Sequence, residues 1–251
     1  GVRPSFFTNL SALGVGGEIQ HGSLSESTFA WSIGTYAKMF RVTRRDMIND
    51  DLGFLDGLPT MMAKSALRTL SDLIWTTILA NGGSFYASGN GNYQEGAGTS
   101  LQVSSLQSLV ALMRTQRDTT GNDLDIVPKT LVVPPELETT ARALLNSELL
   151  GRDDEQPTGN PLKSIATLEV ESRISNSVKF TGYSTTAFYL FAAPQDAPVI
   201  VGFLDGAESP IVETFGLDHD VETLGMSFRC YHDFGTAFGD YRATARSKGA
   251  A

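Results

Sequence analysis

The chain has 251 residues, 41% of them hydrophobic, and its 28 acidic residues outnumber its 19 basic residues to give a net charge of −9 at pH 7. This length allows one large or two modest domains with a hydrophobic core, and the acidic balance argues against a dedicated DNA-binding surface. The single cysteine, Cys230, excludes an intrachain disulfide and a cysteine-based zinc site, and the apolar runs are too short to predict a membrane span.

The N-terminal region has little hydrophobic periodicity. Residues 1–27 contain Gly14, Gly16, Gly17 and Gly22 among few regularly spaced apolar positions. We interpret this region as an extended arm, although a disordered tail would have the same composition.

A period-two pattern follows the arm. Phe29, Trp31 and Ile33 alternate with small residues, and a second alternating run begins after Gly34. The pattern predicts two strands about a break at Gly34–Thr35, or one long strand bent there. A cluster of opposite charges closes the segment, and it suits either contact with a neighbouring copy or a solvated, salt-bridged surface.

A helix over Leu58–Ala80 is the clearest prediction in the chain. Pro59 suits its first turn, because the missing N–H would be unpaired there, and Asn81 and the glycines after it can end the helix. Apolar residues recur at intervals of three and four, so we expect one face to be buried. At about 1.5 Å per residue the helix spans roughly 30 Å and can serve as a beam against which sheets pack.

The next segment, 82–100, is rich in glycine and predicts a long flexible loop. It lacks the lysine and the flanking strand of a phosphate-binding loop, so we do not interpret it as a nucleotide site. A compact α/β unit is predicted after it, with a helix from Ser104 to about Arg117, a strand at 129–133 and a helix over Glu136–Leu145.

The remainder is predicted to be mostly β. In its last segment, which starts at Gly225, the pattern places Phe228, Cys230 and His232 on one side of a strand, and Gly235 allows a tight reversal or a bulge. The earlier short strands are predicted at 168–174, 188–191, 199–203 and 211–215.

Residues that could carry catalysis are few. None of His21, His219 and His232 has the spacing of a metal ligand set. His219 lies between Asp218 and Asp220, which is the most enzyme-like group, but the pattern around it is that of a polar turn. We therefore predict no catalytic, cofactor-binding or metal-binding residues.

Three stretches resemble the major capsid proteins of tailed bacteriophages. They are VTRRDMINDDLG at 42–53, QRDTTGNDLDIVPKTLVVPPELETTARALL at 116–145 and DFGTAFGDYR at 233–242. With the order of arm, hairpin, long helix and glycine-rich loop, the resemblance extends from about Tyr36 to Gly249. The chain is most similar to the Mu-type major head subunits, a group that includes fusions of a prohead protease to the major capsid protein.

The resemblance implies an α+β chain with the Hong Kong 97-type phage capsid fold. That fold has an N-terminal arm, an extended β-hairpin loop, a peripheral domain with a long spine helix, and an axial domain whose loops meet at capsomer centres. The glycine at position 1 fits a family that often loses an N-terminal region during maturation. Carried over, the parts are the arm at 1–27, the extended loop at 28–49, the peripheral domain at 50–103 and 223–251 with its spine helix at 58–80, and the axial domain at 104–222.

The implied function is that of a major head protein, located in the virion and assembled in the host bacterial cytoplasm. Its copies would form hexamers and pentamers of an icosahedral shell that encloses double-stranded DNA without sequence-specific binding. A portal protein and possible decoration proteins would be its partners, with no cofactor and no membrane. The candidates for contacts between subunits are Trp31, Tyr36, Lys38, Phe40, Arg41, Arg44, Arg45, Asp46, Asp50 and Asp51.

Two alternatives stay open. An encapsulin-like shell for cargo would share the fold and differ in its contents. A hydrolase built on His219 would need a pocket and a nearby serine. Some relatives join a loop lysine to an asparagine of a neighbour, but no matching asparagine motif accompanies Lys38, so we predict no covalent crosslink.

Overall fold

The chain forms two compact units in a computed structural model. The first unit comprises Gly1–Ala30, Ile78–Ile200 and Phe238–Ala251, and the second comprises Trp31–Thr77 and Val201–Ala237. The residues that the structure describes are 2–7, 24–28, 32–50, 53–152, 155–196, 198–216 and 225–250.

Helices and strands are mixed along the chain, as the α+β prediction requires. The helices are α1 (Arg44–Ile48), α2 (Leu58–Ala80), α3 (Val103–Arg114) and α4 (Glu138–Asn146). The strands are β1 (Val2–Phe7), β2 (Leu24–Thr28), β3 (Gly34–Thr43), β4 (Tyr93–Gln94), β5 (Thr130–Val133), β6 (Leu149–Arg152), β7 (Glu155–Gly159), β8 (Thr167–Val170), β9 (Phe188–Phe191), β10 (Val199–Phe203), β11 (Ile211–Phe215), β12 (Gly225–Phe238) and β13 (Thr244–Ser247).

The core of the first unit lies between a five-stranded sheet and two helices. The strand order is β4-β13-β9-β5-β8, with β5 antiparallel to β9 and parallel to β8. Leu106 and Leu109 of α3 and Leu131 and Leu190 of the sheet are fully buried. Helix α4 adds Ala141 and other apolar residues to the same core, which confirms the predicted strand–helix unit near 129–145.

Helix α3 ends three residues earlier than predicted. Its first turn is held by the Ser105 hydroxyl, which accepts the N–H of Gln102 and donates to the carbonyl oxygen of Gln102, each at 3.1 Å. After Arg114 the chain turns, and Arg117 pairs with Asp123 across the turn at 2.9 Å.

The glycine-rich segment 82–100 is not a featureless loop, which corrects the prediction. Asn92 is fully buried at its centre. The Asn92 amide donates to the carbonyl oxygens of Phe85 and Tyr241 at 3.0 and 3.1 Å, and its oxygen accepts the N–H of Ala87 at 3.1 Å. Polar side chains therefore hydrogen-bond to backbone N–H and C=O groups that have no partner in a helix or strand.

The second unit is built around β12. This strand pairs with β11 and β10 in one sheet and, antiparallel, with β3 over ten residues from Gly225 to Phe234. The predicted reversal at Gly235 does not occur, since β12 runs through to Phe238. Gly235 instead allows a close approach of two backbones, because a Cβ there would clash with the carbonyl oxygen of Ser32.

The strand pairing of the N-terminal third also differs from the prediction. Between residues 32 and 49 the described chain has one strand, β3, and its partner is β12 instead of a hairpin neighbour. Strand β2 pairs antiparallel with β1, so a strand pair occupies the ends of the segment predicted to be an arm. The pairing of β3 with β12 extends over ten residue pairs. Its hydrogen bonds favour this pairing over a short local hairpin.

Helix α2 has the predicted bounds and ends at Asn81, whose φ of 48° is left-handed. Its apolar face is less buried than predicted, because Leu67 stays 47% exposed. Within the second unit, Leu58 packs with Val42 and Phe228 in a small core. The predicted division into peripheral and axial domains stays a prediction.

Candidate functional site

An open groove of about 680 Å³ lies in the second unit between β3 and the N-terminal half of α2. Phe40 and Lys38 of β3 lie directly opposite Phe228 and Cys230 of β12, so these side chains share one face of the sheet. Helix α2 packs on that face, where the Cys230 thiol hydrogen-bonds to the carbonyl oxygen of Met62 at 3.8 Å. The helix thus forms one wall of the groove and β3 forms the other.

The walls of the groove are apolar and accessible. Phe40 is 46% exposed and Met61, across the groove, is 53% exposed. Met39 is 65% exposed on the same strand. Methionine side chains are flexible and adapt to irregular partners, and contiguous exposed apolar surface marks interaction sites.

One edge of the groove is also an unpaired sheet edge. Among the described strands β3 pairs with β12 alone, so no described strand covers its other edge, and an uncovered strand edge can pair with another chain. Nine of its ten residues are exposed, with Val42 as the buried exception. The groove therefore offers apolar contacts and strand pairing side by side.

Two predicted contact residues give the groove its polar features. Tyr36 stacks on Phe234 with ring centroids 4.5 Å apart and stays 36% exposed. Lys38 is exposed and has no ion pair with any residue that the structure describes. At the floor, burial raises the pKa of the Cys230 thiol above its ordinary value. The thiol is therefore protonated at neutral pH and unreactive.

The charged candidates divide into two groups. Arg44 and Arg45 are exposed on α1, whereas the carboxylates of Asp46 and Asp50 accept hydrogen bonds from nearby residues. Asp46 accepts hydrogen bonds from the backbone N–H and the hydroxyl of Thr43, and these bonds lower its pKa. The Asp50 carboxylate accepts the N–H of Leu55 at 3.0 Å.

The structure thus brings Tyr36, Lys38 and Phe40 together in the groove and places Arg41 further along the same exposed strand. Trp31 and Asp51 lie outside the described residues. Sequence reasoning missed Met61, because the helix periodicity pointed to the face of Leu67. The adjacent Met61–Met62 pair was the signal that could have identified the second apolar face.

The enzyme alternative finds no support in the described part of the chain. There, no group of three or more His, Cys, Asp or Glu side chains could hold a metal ion. His232 is 2% exposed, with its Nε2 3.3 Å from the carbonyl oxygen of Ala207, so it is a core residue. The predicted trio around His219 lies outside the described residues. Of the described helices, none is both long and apolar enough to cross a membrane.

Comparison with known proteins gives the family. A family of phage capsid proteins matches residues 26–247. No curated protein matches the chain by sequence.

Solved structures give the fold. The capsid of the cyanophage P-SCSP1u matches 98% of this chain and 81% of its own, with a TM-score of 0.63 and 9% identity. A structure from Microbacterium phage Oxtober96 matches 98% of this chain and 84% of its own, with a TM-score of 0.59 and 10% identity. An encapsulin complex from Synechococcus elongatus matches 91% of this chain and 76% of its own, with a TM-score of 0.51 and 14% identity. The chain belongs to the phage capsid protein family, has the Hong Kong 97-type fold, and is a structural protein of a bacteriophage capsid.

Proposed function

We propose that the chain is the major head protein of a tailed bacteriophage, and that its copies form the hexamers and pentamers of an icosahedral shell around double-stranded DNA. The observation that carries the proposal is the family match over 26–247, combined with an apolar groove that the described residues leave open. A protein that works alone would gain stability by covering that surface.

The occupant we assign to the groove is a second copy of the chain. No described residue covers the exposed area of Phe40, Met39 and Met61, so a second copy can bury it, and the edge of β3 away from β12 can accept a strand from that copy. Such a contact joins different surfaces of the two copies, so repeated contacts close into rings and rings into a shell. Each contact can be weak, because many act together in one particle.

Under this proposal the parts of the fold receive their roles through the resemblance. We assign α2 to the spine helix, as its length and bounds suggest. The extended loop, expected to be a hairpin, fits the β1–β2 pair better than residues 28–49, because β3 belongs to the sheet of the second unit. The axial and peripheral domain bounds follow the Mu-type resemblance and remain part of the proposal.

The acidic balance suits a container for DNA. With 28 acidic against 19 basic residues, the net charge of −9 disfavours tight binding of phosphates, so DNA can be packaged and released. Portal and decoration proteins would bind the completed shell, which would assemble in the host cytoplasm. No catalytic activity belongs to the proposal.

A cargo shell is the second candidate, favoured by the similarity to the encapsulin complex. The two candidates share the same assembly and differ in their contents. Particles purified from the natural source hold DNA if the chain is a phage head protein and hold protein cargo if it is an encapsulin.

A groove variant tests the role of the second copy. We expect Phe40→Asp combined with Met61→Asp to abolish particles in sedimentation and negative-stain microscopy, because two charges would have to be buried at each contact. The matched control is Val178→Asp, since Val178 is 97% exposed on the first unit and does not line the groove. Normal particles from the groove variant would overturn the assignment.

A further inference from the structure

Two surfaces of the second unit carry opposite charges that form no ion pair among the described residues. The first, called here the basic surface, consists of Arg44, Arg45 and Ile48 on α1. Ile48 is 69% exposed, and neither guanidinium forms an ion pair with a described residue. The capping box between Thr43 and Asp46 holds this short helix at the end of β3. Its arginines are thus presented from a fixed position.

The second surface, called here the acidic surface, consists of Leu204, Asp205 and Glu208 in the turn between β10 and β11. Leu204 is 48% exposed, and both carboxylates are exposed without an ion pair to any described residue. Like the basic surface, it combines two like charges with one large exposed aliphatic side chain.

The turn that carries the acidic surface has a defined conformation. Asp205 adopts a left-handed φ of 51°, and the N–H of Ala207 donates to the carbonyl oxygen of Leu204 at 3.0 Å. The carbonyl oxygen of Ala207 in turn lies 3.3 Å from Nε2 of the buried His232. The carboxylates therefore need little ordering when they bind a partner.

The two surfaces of one copy cannot pair with each other. Tyr231 of β12 has Ala37 of β3 as its neighbour on one side and Ile211 of β11 on the other, so the surfaces lie on opposite sides of β12. They also lie at different levels, because Thr43 is opposite Gly225 and Ala207 contacts His232. Seven residues of strand separate these levels, which is about 23 Å.

We propose that the basic surface of one copy binds the acidic surface of a second copy, with Arg44 and Arg45 against Asp205 and Glu208 and with Ile48 against Leu204. The inference rests on the proposed shell function and adds the identity of two matching surfaces. When two different surfaces on opposite sides of a unit bind each other, the contact is head-to-tail, and head-to-tail contacts can build rings. Exposed ion pairs add little stability singly, but complementary charges fix the register of a contact and exclude wrong ones.

Charge reversal tests the pairing. The basic-side variant is Arg44→Glu with Arg45→Glu, and the acidic-side variant is Asp205→Lys with Glu208→Lys. We expect each to lower the yield of sedimenting particles about tenfold or more, because like charges then face each other. The chain that carries all four substitutions should recover the yield to within about twofold, since the pairs are restored with exchanged signs.

A matched control separates pairing from net charge. Lys64→Glu with Arg68→Glu changes the charge by the same amount on exposed residues of α2 in the same unit, and should leave the yield unchanged. Thermal unfolding of each unassembled variant shows that it is folded.

Each outcome decides a question. The pairing is wrong if folded single-side variants assemble normally, if the fourfold variant is not rescued, or if the control loses as much yield as the reversals. If the unchanged chain forms no particles, the proposed function itself fails, and the pairing fails with it.

Discussion

Lys38 of β3 lies directly opposite Cys230 of β12, and both line the open groove of the second unit. The lysine stands at the accessible wall, whereas the thiol is 5% exposed at the floor. The accessibility of this thiol to a reagent should therefore depend on how open the groove is.

The reactivity of Cys230 should follow the opening of the groove. We expect the thiol of the folded chain to react with Ellman's reagent about tenfold or more slowly than that of the urea-unfolded chain, because burial shields it and raises its pKa. Met61→Ala should speed the reaction by removing part of one wall, and assembly should slow it further. Equal rates in folded and unfolded chains would contradict this description of the groove.

Gly235 should be required for the close approach of two backbones. A methyl group there would clash with the carbonyl oxygen of Ser32, so Gly235→Ala should lower the free energy of unfolding by about 1–3 kcal/mol. Urea denaturation measures the change. Gly57→Ala is the control, since a Cβ at Gly57 meets nothing within 4 Å. A stability loss equal to that of the control would show that Ser32 does not pack there.

Asn92 should stabilise the segment 82–100. Its side chain serves three backbone groups, so Asn92→Ala would leave buried donors and acceptors unpaired and lower the free energy of unfolding by about 2 kcal/mol or more. Asn146→Ala, at an exposed position of α4, is the comparison and should be nearly neutral. Hydrogen exchange localises the effect, and unchanged protection of 82–100 in the first variant would disprove the role.

Asp118 should resist protonation. Burial by itself would raise the pKa of Asp118, but hydrogen bonds from Asn122 and Thr120 outweigh it and lower the pKa to about 2. An unfolded aspartate titrates near about 3.9. The ionised carboxylate therefore stabilises the turn at pH values above the unfolded pKa, and the effect is lost as the pH falls through the folded pKa.

The carboxyl NMR signal of Asp118 measures this titration. We expect a midpoint near 2 in the unchanged chain and a higher one in Thr120→Val, which removes a hydroxyl donor. A midpoint at the ordinary aspartate value in the unchanged chain would show that the bonds do not persist in solution.

Local signals in the sequence predicted several elements well. Helix α2 was predicted with its observed bounds, because Pro59 and Asn81 mark its two ends through backbone geometry alone. The same holds for β5, a run of apolar residues stopped by two prolines. The burial of Phe228, Cys230 and His232 on one side of β12 confirms the period-two pattern.

Long-range pairing was not predictable in the same way. The partner of β3 lies some 190 residues away in the sequence at β12, and nothing within 28–49 distinguishes that pairing from a local hairpin. The groove was missed for a related reason. Met61 and Met39 become neighbours of one surface only when helix and sheet pack, although Tyr36, Lys38 and Phe40 were predicted from the strand pattern.

Copies of this chain should assemble with one another, and light scattering coupled to size-exclusion chromatography measures this assembly. We expect rings or closed particles of many copies, visible by electron microscopy in the same fractions. A 27.0 kDa monomer at every protein and salt concentration tried would contradict it.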